Sequence, residues 1–319
     1  MSAEQLAELS DLFVVAAVLL YVFSMVGFAI ELAFGRARSG KAKKPVALKQ
    51  PVAVGAAGAE QPLQVLPPAT KTPVVPSPGA HRAGTIALAL AWVGWAANFA
   101  AILNRGLAVD RWPWGNMYEF VVAICFAAVT AFLGTQLRYN VRFLGAFVMV
   151  VAALGLGAAV RYFYTEAGPV VPALDSYWIA IHVSAAIVAS GLLTLAGVAG
   201  VLYLMRGDGL SRLPAREDLE RVAHRAIVFA FPLWTFAVIA GALWADRAWG
   251  RYWGWDPKEV WSFITWVVYA AYLHAKATAG WRGRAATIVQ LVGFACLLFN
   301  LIGVNIFIGG LHSYADVSN

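Results

Sequence analysis

Eight runs of about 20 mostly apolar residues punctuate this chain, and they constrain its fold more than any other feature, because a helix must be about that long to cross a bilayer core. They fall at roughly 11–33, 84–103, 117–136, 141–160, 177–205, 226–244, 258–276 and 285–308. The charge content agrees. Only 13% of the 319 residues are charged, about half the roughly 25% of a soluble domain, so lipid is the more plausible solvent. The expectation is an all-α, polytopic integral membrane protein with about eight transmembrane helices. The acidic start (Glu4, Glu8, Asp11) has no basic segment ahead of the first run, which reads as a retained span rather than a cleaved signal.

The formal charge of +7 would suggest nucleic-acid binding in a soluble protein. Here the basic residues sit in short loops between apolar runs, the pattern that sets topology. They cluster in the linker after the first span (Arg36 to Arg82), around Arg138 and Arg142, from Arg206 to Arg225, and at Lys276, Arg282 and Arg284. These four segments all lie on one side, so both termini are expected on the opposite, outer side. The chain then divides into a first transmembrane helix (1–35), a Pro/Ala-rich cytoplasmic linker (36–83) and a membrane domain (84–319). The linker holds eight prolines from Pro45 to Pro78 and reads as disordered or partly extended.

The two cysteines, Cys125 and Cys296, stand alone in apolar runs, with no CxxC or CxxCH. The chain is therefore neither a thiol oxidoreductase of that type nor itself a c-type cytochrome. The outer segments carry the unusual residues. Between Trp244 and Trp261 there are five tryptophans in eighteen positions. Asp256, Pro257 and Glu259 have the spacing of N-cap, N1 and N3 of a capping box. Capping does not account for Trp249, Trp253 and Trp255, interleaved with Gly250 and Gly254. They read either as an interfacial aromatic belt or as a platform for a large planar ligand that the glycines let approach.

The segment Trp249-Gly-Arg-Tyr-Trp-Gly-Trp-Asp-Pro-Lys-Glu259 resembles the WGxxWxWDxxE signature of the tryptophan-rich (WWD) heme-handling proteins at every fixed position. With the eight-span layout and the ending Gly-Gly-Leu-His-Ser-Tyr at 309–314, the chain resembles the CcsA/ResC family of System II cytochrome c biogenesis. The resemblance covers the first span and residues from about 84 onward. The Pro-rich insert is not part of it.

Neutral imidazole is a common axial ligand of heme iron, and the chain has five histidines: His81, His182, His224, His274 and His312. His81 and His224 fall beside inner loops and read as solvated. His182, about one turn into the fifth span, and His312, just past the last, share the outer face with the Trp loop. They read as a two-histidine clamp or as two ordinary interfacial histidines. The resemblance favours the clamp, because the family is understood to bind external heme through two histidines flanking the Trp-rich segment. His274 lies about fifteen residues into its helix, roughly 22 Å from the outer end, where an ionisable group is a functional candidate. By resemblance it matches a membrane-embedded heme ligand whose mate comes from a partner, and no second histidine of this chain is expected at its depth. Arg105, Arg111, Arg161 and Arg251 are candidates to pair with heme propionates.

The resemblance implies heme b as substrate or bound ligand, held by His182, His312 and His274 as iron ligands with Trp249, Trp253, Trp255 and Asp256 around them. It implies presentation of that heme to the CxxCH thiols of apocytochromes c at the outer face of the cell membrane, with a ResB-like membrane partner as the other half of the synthase and thiol-reducing proteins nearby. No catalytic acid or base is evident. The rival readings are an electron-transfer heme subunit, a small-solute transporter, and an assembly subunit that binds no heme. The first would place its histidine pairs within the membrane, and the second would place polar residues at broken mid-spans.

Overall fold

A computed structural model of the chain describes residues 1–34, 78–174, 176–206 and 213–312. Among the described residues the structure is helical: α1 (Ala3–Phe34), α2 (Pro78–Val109), α3 (Met117–Arg138), α4 (Gly145–Tyr162), α5 (Tyr177–Met205), α6 (Arg216–Trp249), α7 (Pro257–Thr278) and α8 (Gly283–Phe307). Seven are long and apolar enough to cross a membrane. The exception is α7, whose 22 residues match a span in length but carry Lys258, Glu259 and Lys276 among many aromatics. It occupies the eighth position expected from the sequence. The chain is thus a multi-pass membrane protein.

Several helices run past the apolar stretches that mark them. α6 has 34 residues, about 51 Å at 1.5 Å per residue against a core of about 30 Å. α2 starts at Pro78, inside the stretch expected to be linker, because proline is well suited to the first helical turn. Linker residues 36–77 and the terminal Ser313 and Tyr314 lie outside the described residues.

The helices alternate in direction, so the start of α1 and the ends of α2, α4, α6 and α8 gather with the starts of α3, α5 and α7 at one end of the bundle. Side chains tie that end together: Tyr118 and Tyr164 both donate to Asp11, at 3.2 and 2.6 Å. At the other end Arg142 pairs with Glu31 at 3.2 Å and Lys276 with Glu220 at 2.6 Å.

α5 is the axis of the bundle. Its most apolar window is 78% buried, against 28% for α1 and α2, and it packs on α6, α3 and α8. Small residues permit this: a Cβ on Gly191 would sit 2.5 Å from the backbone carbon of Ala127 in α3, the close approach that lets helices associate where lipid supplies no hydrophobic drive. α1 and α2 form an antiparallel pair, fastened by Ser10 to the Ala101 carbonyl and Ser24 to the Ala87 carbonyl, both at 2.8 Å.

Candidate functional site

One end of the bundle holds an open cavity with about 1140 Å³ of space, part of it continuous with the surroundings. Its walls come from the start of α3, the start of α5, the last turns of α6, the Trp loop, the start of α7 and the end of α8. His182 and His312 both line it. The alternation of helices expected from the spans brings both to this end of the bundle.

Each imidazole is held through the same nitrogen. His182 Nδ1 lies 2.7 Å from the Ala237 carbonyl of α6. A carbonyl only accepts, so Nδ1 carries the proton and Nε2 keeps its lone pair. His312 Nδ1 lies 2.7 Å from Asp256 Oδ1, which places a proton on Nδ1 and, in the neutral imidazole, leaves Nε2 as the lone-pair nitrogen. A carboxylate or carbonyl behind Nδ1 is the usual support for a metal-binding imidazole. Gly241 lets the α6 backbone come up to the His182 ring, since a Cβ there would stand 2.7 Å from Cε1.

Asp256 does more than cap. The expected capping box is present, with the Asp256 side chain receiving the Lys258 N–H and Glu259 receiving the Asp256 N–H. The same carboxylate accepts the Leu311 N–H at 2.6 Å, so it also anchors the segment that carries His312. Burial alone would raise the Asp256 pKa. The hydrogen bond and charge of His312, with the two backbone N–H groups, outweigh burial and hold the carboxyl below its ordinary 3.8.

The tryptophans divide. Trp253 lines the cavity. Trp249 packs edge-on against His312 at 5.0 Å between centroids. Trp255 does not join them. Its backbone has φ 58, its side chain is 71% exposed, and it meets only the edge of Trp253 at 5.9 Å among the ring contacts. The glycines also serve other ends than expected: Gly250, at φ 70, is the left-handed cap that stops α6, and Gly254 packs against the Arg251 side chain.

Trp244 is the residue that sequence reasoning underrated. It is 2% exposed, its ring is parallel to His182 with centroids 6.2 Å apart, and it touches His312 at 5.6 Å. It therefore packs against both imidazoles. Trp114 and Asn300 were also missed. Both line the cavity, and the Trp114 indole N–H and the Asn300 amide oxygen are buried with no partner among the described residues. Asn300 sits in a π-helical stretch of α8, Phe299–Gly303, an irregularity that often marks functional sites. The flat apolar walls, paired imidazoles and unpaired polar atoms suit a large planar guest with a few polar groups.

The four arginines considered for propionates are not cavity residues. Arg105 and Arg111 both bind Glu119, at 3.2 and 2.9 Å. Arg161 lies over Tyr162, and Arg251 is exposed beside Gly254. Glu119 also accepts the Gly115 N–H at 2.7 Å, so this buried cluster braces the loop that carries Trp114.

His274 is apart from the other two. It lies about 26 Å along α7 from Pro257, with an exposed side chain on the outside of the bundle. The expectation that no second histidine lies at its depth fails: His224 Nδ1 is 3.3 Å from the hydroxyl of Tyr272, two residues before His274 on α7. His224 belongs to the interior of α6 and is half-buried, because α6 begins at Arg216, well before its apolar run. His81 is exposed, as expected, with Glu31 3.7 Å away.

Residues 114–312, from Trp114 to His312, match the family described as cytochrome C assembly protein. The cytochrome c biogenesis protein CcsA of Gloeobacter violaceus is 31% identical over 300 residues, covering 75% of this chain and 88% of that one. CcsA of Synechococcus elongatus is 32% identical over 292 residues, covering 74% and 88%. Among solved structures, cytochrome c heme lyase CcmF superposes on 94% of this chain with a TM-score of 0.58 at 18% identity, and the chain spans 47% of its length. That last likeness is one of fold.

Proposed function

As a member of the cytochrome c assembly protein family, and of the CcsA proteins within it, this chain serves cytochrome c biogenesis, and we propose that it does so by holding a heme b between His182 and His312 and presenting it for covalent attachment to CxxCH apocytochromes. The observation that carries this reading is the pair of imidazoles in one cavity, each tied through Nδ1 and each with Nε2 left as the lone-pair nitrogen. Among the described residues no group of three or more His, Cys, Asp or Glu is placed to hold a metal ion. Two imidazoles suit an iron whose equatorial positions a porphyrin already fills.

Heme is the substrate here. Attachment adds a cysteine S–H across a vinyl C=C, forming one C–S and one C–H bond with no net change of oxidation state. The chain's contribution is position. Ala237 and Asp256 fix the two imidazole rings, Trp244 and Trp249 pack behind them, and Trp253 forms a wall. Holding both reactants in register is where the rate advantage arises. The bias of basic loops supports assigning this end of the bundle to the outer face of the cell membrane, where apocytochromes and thiol reductants would meet it.

His274, exposed on α7, suits a site completed by another protein, and a ResB-like membrane partner is the candidate. In this scheme heme passes His274 and then reaches the outer clamp. The electron-transfer rival requires histidine pairs inside the membrane, and His182 and His312 instead share the end of the bundle where the loops lie.

The test is assembly of a reporter cytochrome in cells lacking this chain, read by heme stain after denaturing electrophoresis. Wild type is expected to restore the stained band, and His182→Ala and His312→Ala to lose it at equal protein level. Normal staining with both variants would remove the basis for the clamp.

A further inference from the structure

A heme brings two carboxylates, and an apolar cavity must answer them with positive charge. The outer arginines do not: two are committed to Glu119, one lies over Tyr162 and one is exposed. Among the described residues that line the cavity, Lys258 is the one lysine or arginine. It also lines a smaller adjoining hollow, together with Asp256 and His312.

Three features give Lys258 the character of an anion site. Its backbone is fixed, because the Lys258 N–H donates to Asp256 Oδ1 at 3.1 Å within the capping box. Its partly buried ammonium makes no hydrogen bond or ion pair to a described residue. The carboxylates beside it are already engaged: Glu259 accepts the N–H groups of Gly254 and Asp256 at 2.8 and 3.0 Å, and Asp256 holds His312 and the Leu311 N–H. The first turn of α7 adds its own partial positive charge at the same place.

We propose that Lys258 anchors a carboxylate of the planar ligand, a heme propionate on the reading above, and thereby sets which edge of the ring faces the start of α7. This rests on the heme reading and adds orientation to it. The propionates of heme lie on the edge opposite the vinyl groups. An anchor at Lys258 therefore turns the vinyls away from α7, and the geometry of attachment follows from one lysine.

The test titrates the detergent-purified full chain with heme and with its dimethyl ester, followed by the absorption bands, for wild type, Lys258→Met and Lys258→Arg. The readout is the affinity ratio of acid to ester within each protein, so a fraction of misfolded variant cancels. Wild type is expected to favour the acid over the ester more strongly than Lys258→Met by roughly ten- to a hundredfold, the value of one charge-assisted hydrogen bond. Lys258→Arg is expected to keep the preference. An equal ratio in wild type and Lys258→Met would overturn the anchor while leaving the clamp intact. Failure of folded wild type to bind either compound would overturn the heme reading and the anchor with it.

Discussion

Replacing Glu119 by alanine is expected to cost about 3 kcal/mol of stability, the lower end of the range for breaking a buried ion pair from one side. The Glu119 side chain is 1% exposed and faces two guanidinium groups, Arg105 at 3% and Arg111 at 17% exposure. It accepts from Arg105 Nε, from both terminal nitrogens of Arg111 and from the Gly115 backbone. Without it, two cations remain in an apolar setting. The loss stays near the lower end because each keeps other partners. Arg105 retains the Thr165 carbonyl and the Tyr118 ring, whose centroid is 5.2 Å away. Arg111 retains the carbonyls of Trp112 and Gly168. A 3 kcal/mol loss is roughly a 150-fold shift in the folding equilibrium. The assay is unfolding in mixed micelles titrated with sodium dodecyl sulfate and followed by tryptophan fluorescence. Glu119→Gln keeps an acceptor oxygen and is expected to lose less, about 2 kcal/mol. Adding Arg105→Met and Arg111→Met to Glu119→Gln is expected to recover much of the loss, since apolar replacement of a whole buried ion cluster is often neutral. If Glu119→Ala unfolds within about 0.5 kcal/mol of wild type, the range of an ordinary surface change, the cluster is not the brace described.

Three further outcomes follow from the same structure. Asp256 lies below its ordinary pKa of 3.8, so its stabilising contribution is complete above about pH 4 and is lost as pH falls through the lower, folded value; Asp256→Asn is expected to lower the unfolding midpoint at pH 7 and to make progressively less difference in more acid solution. Trp253→Ala is expected to weaken heme binding by about tenfold and Trp255→Ala by less than about twofold, measured by absorbance titration, because only the first ring lines the cavity. Gly191→Ala, whose new Cβ would stand 2.5 Å from the Ala127 backbone, is expected to cost about 1–3 kcal/mol in the micelle assay, whereas Gly157→Ala, with nothing within 4 Å, is expected to be neutral or to gain about 0.5–1 kcal/mol.

The legible parts of this protein were those carried by local pattern. Apolar runs locate eight helices, and the spacing of Asp256, Pro257 and Glu259 gives the capping box at the start of α7. Counting spans also places His182 and His312 at one end. What sequence could not supply was the rotation of each helix and the partners it presents. Arg105 and Arg111 had the right chemistry for propionates, yet the first turn of α3 turns Glu119 toward them and occupies both. Lys258 lies within the Trp-rich motif with no local signal of where its side chain goes, and it lines the cavity. The left-handed backbone at Trp255 sends one ring of the Trp-rich segment outward, although its spacing matches its neighbours. Trp244 packs against both imidazoles because α5 and α6 lie side by side, a relation with no local signal. His224 was misplaced because α6 begins before its apolar run, in a charged first turn that reads as loop.

The most direct test of the account is the absorption and electron paramagnetic resonance spectrum of the purified full chain loaded with heme. Two imidazole ligands give a six-coordinate, low-spin iron. Wild type is expected to show that spectrum, His182→Ala and His312→Ala each to convert it to a five-coordinate or weakly bound form, and His274→Ala to leave it unchanged when the chain is alone. A low-spin spectrum that survives both His182→Ala and His312→Ala, or a folded wild-type chain that takes up no heme, would contradict the two-histidine clamp.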